Sequence, residues 1–315
     1  MPRKPSIPSS ASHGLTLIEL LVAAAIAVIL LGLAFQVVVS NRRIYTLDRA
    51  RTAVNQNLRA ALDLIGADVR QAGERLSADF PALEIIDHGQ ADELILRKGI
   101  LDAVLPVCKD VSGNQDVIFI NREGNAPHDN PACYRVDGNG NGWDDRQEAW
   151  QAFRCQQDGA PGCQNNDREV ARAFLYDPVT GTGEWFTYDA DDLSKFKVHK
   201  VSQPPWQYSY PANHRPRLYL VEEHRYTLDT SNGLLQLVKN GEVTNPLDLV
   251  DHVTAFSVEI DLQDGSHQTA FGTGDGWTQI KAVVVRIQAK EDYARGRTLV
   301  RTLEGRYLPR NVLSH

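Results

Sequence analysis

Residues 15–39, LTLIELLVAAAIAVILLGLAFQVVV, form an apolar run of 25 residues with one charged side chain, Glu19. As a helix rising about 1.5 Å per residue, the run is long enough to cross the roughly 30 Å hydrocarbon core of a bilayer. A secretory signal would be shorter, about 7–15 apolar residues, and would end at a small-residue cleavage site; this run instead continues into further helical sequence. The sequence therefore predicts a membrane helix. Arg3 and Lys4 before it and the long domain after it place the N-terminus in the cytoplasm by the positive-inside rule. Glu19 is the anomaly, because a carboxylate in an apolar span is costly and normally has a partner and a function.

Beyond Val39 the chain turns polar but keeps a helical stripe: Ile44, Leu47, Val54, Leu58, Leu62, Ile65, Val69 and Leu76. One helix is expected from Leu15 to about Leu76, 62 residues or roughly 93 Å if unbroken. Gly66 and Gly73 each weaken it by about 1 kcal/mol relative to alanine, which predicts a bend there, and Pro81 ends it. A stripe of this kind is expected to pack on the chain's own globular part in preference to a coiled-coil partner.

From residue 83 the pattern changes to short runs rich in β-branched and aromatic residues: LEII (83–86), ELILR (93–97), DVIFI (116–120), RAFLY (172–176), RLYLVEEHRYTLD (217–229), GLLQLV (233–238), AFSVEIDL (255–262) and IKAVVVRIQA (280–289). SNG, KNG and QDG turns separate several of them. The predicted class is α+β, an antiparallel sheet laid against the distal half of the helix. Residues 102–170 differ in texture: they are rich in Gly, Asn and Asp and read as an excursion from the sheet without a core of its own. A net charge of −7 gives no broad attraction for nucleic acid.

All four cysteines, Cys108, Cys133, Cys155 and Cys163, fall in that excursion. No pair has CxxC spacing and no histidine follows at finger spacing, which argues against structural zinc. On an exported chain disulfides are expected, and Cys108–Cys133 with Cys155–Cys163 is the natural pairing among three connectivities.

The same excursion holds DGNGNGWDDRQE (137–148), which fits the calcium-loop pattern D-x-[DN]-x-[DN]-G-x5-E without a mismatch. Calcium takes six to eight hard oxygens at about 2.4 Å, and a tight loop with alternate side chains turned inward can supply them. Asp137, Asn139 and Asn141 would stand at positions 1, 3 and 5, the Trp143 carbonyl at 7, Asp145 at 9 and Glu148 at 12. Two amide ligands lower the ligand charge and predict weak binding, about 10⁻⁴ M. EAWQAFRC could form an exiting helix, but PACYRV before the loop does not read as an entering one, so a complete EF-hand is not expected. Catalysis is not expected either: the sequence has no HExxH, GxSxG or phosphate-cradling loop, and GTGDG (272–276) reads as a turn. His199, His214, His224 and His252 read as sheet or surface residues, and PPWQYSYP (204–211) as a packed connector or a contact loop.

The start of the chain resembles the signal of type IV prepilins. A short basic leader ends in Gly14, an apolar residue and a threonine follow, and glutamate stands fifth after the glycine in an uninterrupted span. The resemblance implies cleavage after Gly14 by a prepilin peptidase and N-methylation of Leu15, where phenylalanine is usual. It also gives Glu19 a partner, the freed amino group of Leu15 in an adjacent subunit, so that two buried charges compensate. NRRIYTLDRARTAVNQNLRAALDLIGADVRQAG and the ending LEGRYLPRN resemble minor pilins of the PilW kind, with the J-type pseudopilins of type II secretion close by. The implied organisation is a leader (1–14), a transmembrane helix (15–39), its amphipathic continuation (40–78) and a β-rich pilin domain (79–315). The implied partners are other major and minor pilins, the peptidase, the inner-membrane assembly platform and membrane lipid. The implied location is the inner membrane in a single pass, then the pilus at the cell surface.

Overall fold

The computed structural model describes residues 16–121, 130–156, 170–272, 274–294 and 297–314. The chain divides into two compact units, residues 1–53 with 292–299, and residues 54–291 with 300–315. Helix α1 spans Leu17–Gln71. Within the first unit its apolar side chains are uncovered all round: Leu17, Leu31 and Phe35 are 79, 70 and 71 % exposed. It is long and apolar enough to cross a membrane.

In the second unit the same helix becomes one wall of the core. Val54, Leu58, Leu62, Ile65 and Val69, at steps of four and three, are buried. Ile44, the first residue of the predicted stripe, is exposed, so the buried stripe starts at Val54. The helix also stops sooner than expected, at Gln71. Gly73 takes a left-handed φ of 80° and lies under the Trp277 ring, where a Cβ would clash. Its N–H donates to Arg97 O at 2.9 Å. Gln71 O, the last carbonyl of the helix, and Ala72 O just beyond it accept from Asn311 Nδ2 at 3.2 and 3.1 Å, a cap delivered from a residue far along the chain.

α1 continues through Gly66 without a break. The glycine serves a close approach: a Cβ there would collide with the Tyr307 ring, and one on Gly305 would collide with the same ring. Tyr307 Oη donates to Leu62 O at 2.7 Å, and Arg70 lies over the ring at 5.7 Å. Gly66→Ala should therefore destabilise the domain. Its helix-propensity gain of about 1 kcal/mol is outweighed by overpacking of about 1–3 kcal/mol and the lost hydrogen bond. Thermal unfolding beside Tyr307→Phe checks this; a more stable alanine variant would contradict the packing.

In chain order the strands are β1 (Leu83–Ile86), β2 (Glu93–Gly99), β3 (Leu105–Pro106), β4 (Val117–Phe119), β5 (Ala171–Asp177), β6 (Thr182–Asp192), β7 (Lys197–Lys200) and β8 (Arg217–Tyr219). They continue as β9 (Val221–Asp229), β10 (Leu234–Lys239), β11 (Leu247–Val250), β12 (Val253–Leu262), β13 (His267–Gln268), β14 (Ile280–Ala294) and β15 (Arg297–Tyr307), with helix α2 at Asp145–Cys155. Among the described residues they form three antiparallel sheets, ordered β1-β2-β9-β10-β11, β13-β12-β14-β15 and β3-β8-β5-β6-β7-β4.

The single expected sheet is thus three sheets around two cores. The first core joins α1 to the five- and four-stranded sheets, with Leu94, Tyr226, Leu235, Phe256 and Val283 among its residues. The second gathers Leu105, Ile118, Trp150, Leu175, Tyr188 and Leu218. Residues 102–170 do not stand on disulfides alone, as expected, but contribute β3, β4 and α2 to this second core, which they share with β5 to β8. RLYLVEEHRYTLD, read as one strand, splits at Leu220. Leu218 and Leu220 enter the second core while Tyr219 and Val221 enter the first, so this segment is buried on both faces. β5 behaves alike, with Ala173 and Leu175 on one side and Phe174 and Tyr176 on the other.

Candidate functional site

Two places carry the chemistry read from the sequence, the start of α1 and the acidic loop before α2. Gly14 and Leu15 lie outside the described residues. Glu19 does find a partner within its own chain. Thr16 N and Thr16 Oγ1 donate to Glu19 Oε2 at 2.9 and 3.0 Å, and Glu19 N donates back to Thr16 Oγ1 at 3.3 Å. This is a capping box, in which the side chains at N-cap and N3 satisfy helix N–H groups that would otherwise be orphaned. The T-x-x-E spacing was the available signal. Both Thr16 contacts use one carboxylate oxygen, and the cap leaves the charge of Glu19 in place.

The loop is closed by its own polar groups. Asn139 Nδ2 and Asn141 Nδ2 donate to the two oxygens of Glu148 at 3.0 and 2.8 Å, bringing positions 3, 5 and 12 together. Gly142 N donates to Asp137 Oδ2 at 3.1 Å, with Gly142 at φ 90°, a conformation that favours glycine. Gly138 N donates to Asp145 Oδ2 at 2.7 Å. Each aspartate has one oxygen left: Asp137 Oδ1 and Asp145 Oδ1 are buried without a hydrogen-bond partner. Trp143, whose carbonyl was assigned to position 7, has an exposed side chain. Among the described residues no three His, Cys, Asp or Glu side chains gather as a metal cluster.

The expected exiting helix is α2, and the entering segment is a short 3-10 turn, Pro131–Cys133, followed by extended chain. Two residues missed in the sequence hold this arrangement. Asp144, fully buried, is the N-cap of α2 and accepts from Arg146 N at 3.0 Å and Val136 N at 3.2 Å. Arg146 pairs with Asp144 at 2.7 Å and donates to Ala132 O and Tyr134 O at 3.0 and 3.2 Å, tying the segment before the loop to the helix after it. D-x-x-Q at 144–147 signalled the cap, but Gln147 turns inward and donates to Lys197 O at 2.8 Å.

α2 is fixed from beneath. Trp150 Nε1 donates to Ala103 O at 2.6 Å, and the buried Arg154 pairs with the buried Asp191 at 2.7 Å. Tyr188 Oη donates to the same carboxylate at 2.9 Å, and burial, with Asp191 beside it, pushes its phenol well up. Cys108 and Cys133 form the expected disulfide, with Cα atoms 5.8 Å apart, at the entrance to the loop. Cys155 is disulfide-bonded, and its expected partner, Cys163, lies outside the described residues.

The histidines serve ion pairs and sheet surfaces. His214 Nδ1 lies 2.8 Å from the buried Asp177, and His224 Nδ1 lies 2.5 Å from Asp68 on α1. In PPWQYSYP, Trp206 and Tyr210 are buried while Tyr208 is exposed. Glu184 accepts from Gln207 N, Tyr208 N and Tyr210 Oη at 3.0 to 3.2 Å, which makes the segment a packed connector.

Residues 9–35 match the family described as the prokaryotic N-terminal methylation motif. No curated protein and no solved structure matches the chain. The chain therefore carries a type IV pilin-like prepilin signal at the head of a helix that is apolar enough to anchor it in a membrane. Proteins with this signal are typically structural and not catalytic.

Proposed function

We propose that the protein is a minor pilin of the PilW kind. Inserted in the inner membrane by residues 15–39, it is cut after Gly14 by prepilin peptidase and methylated on Leu15. It then helps to prime or join a type IV pilus with other pilins, drawn from the bilayer by the assembly platform. The reading is carried by one conjunction: the methylation motif at 9–35 opens a helix, Leu17–Gln71, that is uncovered and apolar in its first part and core-forming in its second. Deletion of the gene is expected to abolish surface pili. Piliated cells that fail only in attachment would point to a tip adhesin instead, and piliated cells that fail in secretion to a J-type pseudopilin.

The acidic loop supports a second element of this reading, a structural calcium ion. Asp137, Asn139, Asn141, Asp145, Glu148 and the Trp143 carbonyl would hold it, and the two unpartnered oxygens, Asp137 Oδ1 and Asp145 Oδ1, favour it. The ion would offset the carboxylate charge and order the segment between Cys133 and Cys155, where calcium outside the cytoplasm is abundant enough to fill a weak site. With an affinity of about 10⁻⁴ M, a fiftyfold excess of calcium should add about 2 kcal/mol to unfolding stability. Asp137→Ala should remove the increment. Calorimetry without binding heat at millimolar calcium, together with a calcium-independent unfolding curve, would sink the site.

A further inference from the structure

We propose that Arg42, Arg43, Arg49 and Arg51 form a collar that binds anionic phospholipid headgroups at the far surface of the membrane; this rests on the anchor reading of residues 15–39. The four arginines stand within ten residues in which Asp48 is the only acid, on a chain whose net charge is −7. All four side chains are exposed. Among the described residues their one ion pair is Arg51 with Asp48, at 3.8 Å and open to solvent, a contact of little energetic consequence.

The helix continues unbroken from the apolar span through these positions. Arg42 therefore lies about 4.5 Å beyond Val39 along the axis, inside a headgroup layer about 5–8 Å thick. Arg49 and Arg51 follow about 15 and 18 Å beyond Val39, where their long side chains reach back toward a surface whose potential extends about 8 Å into solution. Basic residues so placed are attracted to anionic lipid.

Angular spread selects the occupant. At about 100° per residue, Arg42 and Arg49 lie within about 20° of each other, Arg43 about 100° round and Arg51 about 180° round. A neighbouring subunit touches one side of a helix and would select a stripe, whereas a lipid surface surrounds the helix and fits a collar. Topology does not account for these charges either. The orientation of the span follows from Arg3 and Lys4 on the leader side and from the long domain that is exported after it, and it calls for no arginines beyond Val39.

The test uses the full chain in vesicles of equal parts phosphatidylglycerol and phosphatidylcholine, excised as polymer-bounded particles whose retained lipids are quantified by mass spectrometry. The native chain is expected to retain phosphatidylglycerol several-fold above its bulk share. The quadruple arginine-to-glutamine variant at 42, 43, 49 and 51 should return to the bulk ratio, while Arg59→Gln, on the same helix outside the collar, should match the native chain. An unenriched native chain that still resists carbonate extraction overturns the collar and leaves the anchor intact. Carbonate release of the native chain overturns both. A quadruple variant with native lipid selectivity but impaired filament incorporation assigns the arginines to neighbouring subunits and overturns the lipid assignment.

Discussion

Glu19→Val is expected to exclude the protein from sheared pili while its membrane level and its size after leader removal stay unchanged. In the single chain the carboxylate caps α1 through Thr16. Loss of such a cap costs about 1 kcal/mol, too little to release a long apolar helix from a bilayer. In a filament, on the proposed reading, the same charge meets the amino group of Leu15 on an adjacent subunit. Leaving that amino group buried and unpaired costs about 3–5 kcal/mol, a fall of two orders of magnitude or more in incorporation. Glu19→Gln separates the two roles, because glutamine can complete a capping box but carries no charge. Glutamine failing like valine supports the charge pair. Glutamine incorporating normally refutes it and leaves the cap as the whole function of the side chain.

The second large effect lies in the globular unit. Arg97→Met should lower unfolding stability by about 3–5 kcal/mol, since breaking a buried ion pair from one side strands the partner charges. Arg97 is buried on β2 between two carboxylates, pairing with Glu223 at 2.7 Å and with Glu84, and it donates to Pro81 O at 2.7 Å. Burial works against its charge, but the two glutamates overcome this and push the guanidinium pKa above its ordinary value. Removing it leaves Glu84 and the wholly buried Glu223 without their common cation. Replacing Glu223 by leucine in the same chain should recover part of the loss, because the uncompensated charge is then gone. Urea unfolding of the detergent-solubilised protein, followed by tryptophan fluorescence, measures both; a loss below about 1 kcal/mol would mean that the cluster does not hold β1, β2 and β9 together.

Much of this protein could be read along the chain. The apolar run, the T-x-x-E start, the stripe from Val54 to Val69, most strand centres and the Cys108–Cys133 pairing all express local periodicity or spacing. The acidic loop was legible for the same reason, and α2, Asp145–Cys155, contains the expected segment EAWQAFRC but starts ahead of it. What escaped are the partners. Asp144 and Arg146 stand at positions that the calcium-loop pattern leaves open, yet one is wholly buried and the other clamps two backbone carbonyls. Arg154, which no sequence pattern singles out, lies buried against Asp191.

By itself, then, the sequence determined that the chain begins with a helix able to span a bilayer under a prepilin-like signal and continues into an antiparallel α+β domain. These properties are periodic, and a period of 3.6 or 2 shows within a dozen residues. Only the tertiary structure decided that Gly66 is a seat for Tyr307, that β5 and β8 separate two cores, and that the carbonyls at the end of α1 are capped by Asn311. Each of these joins residues far apart in sequence, and no local pattern carries the identity of a side chain that arrives some 240 positions later.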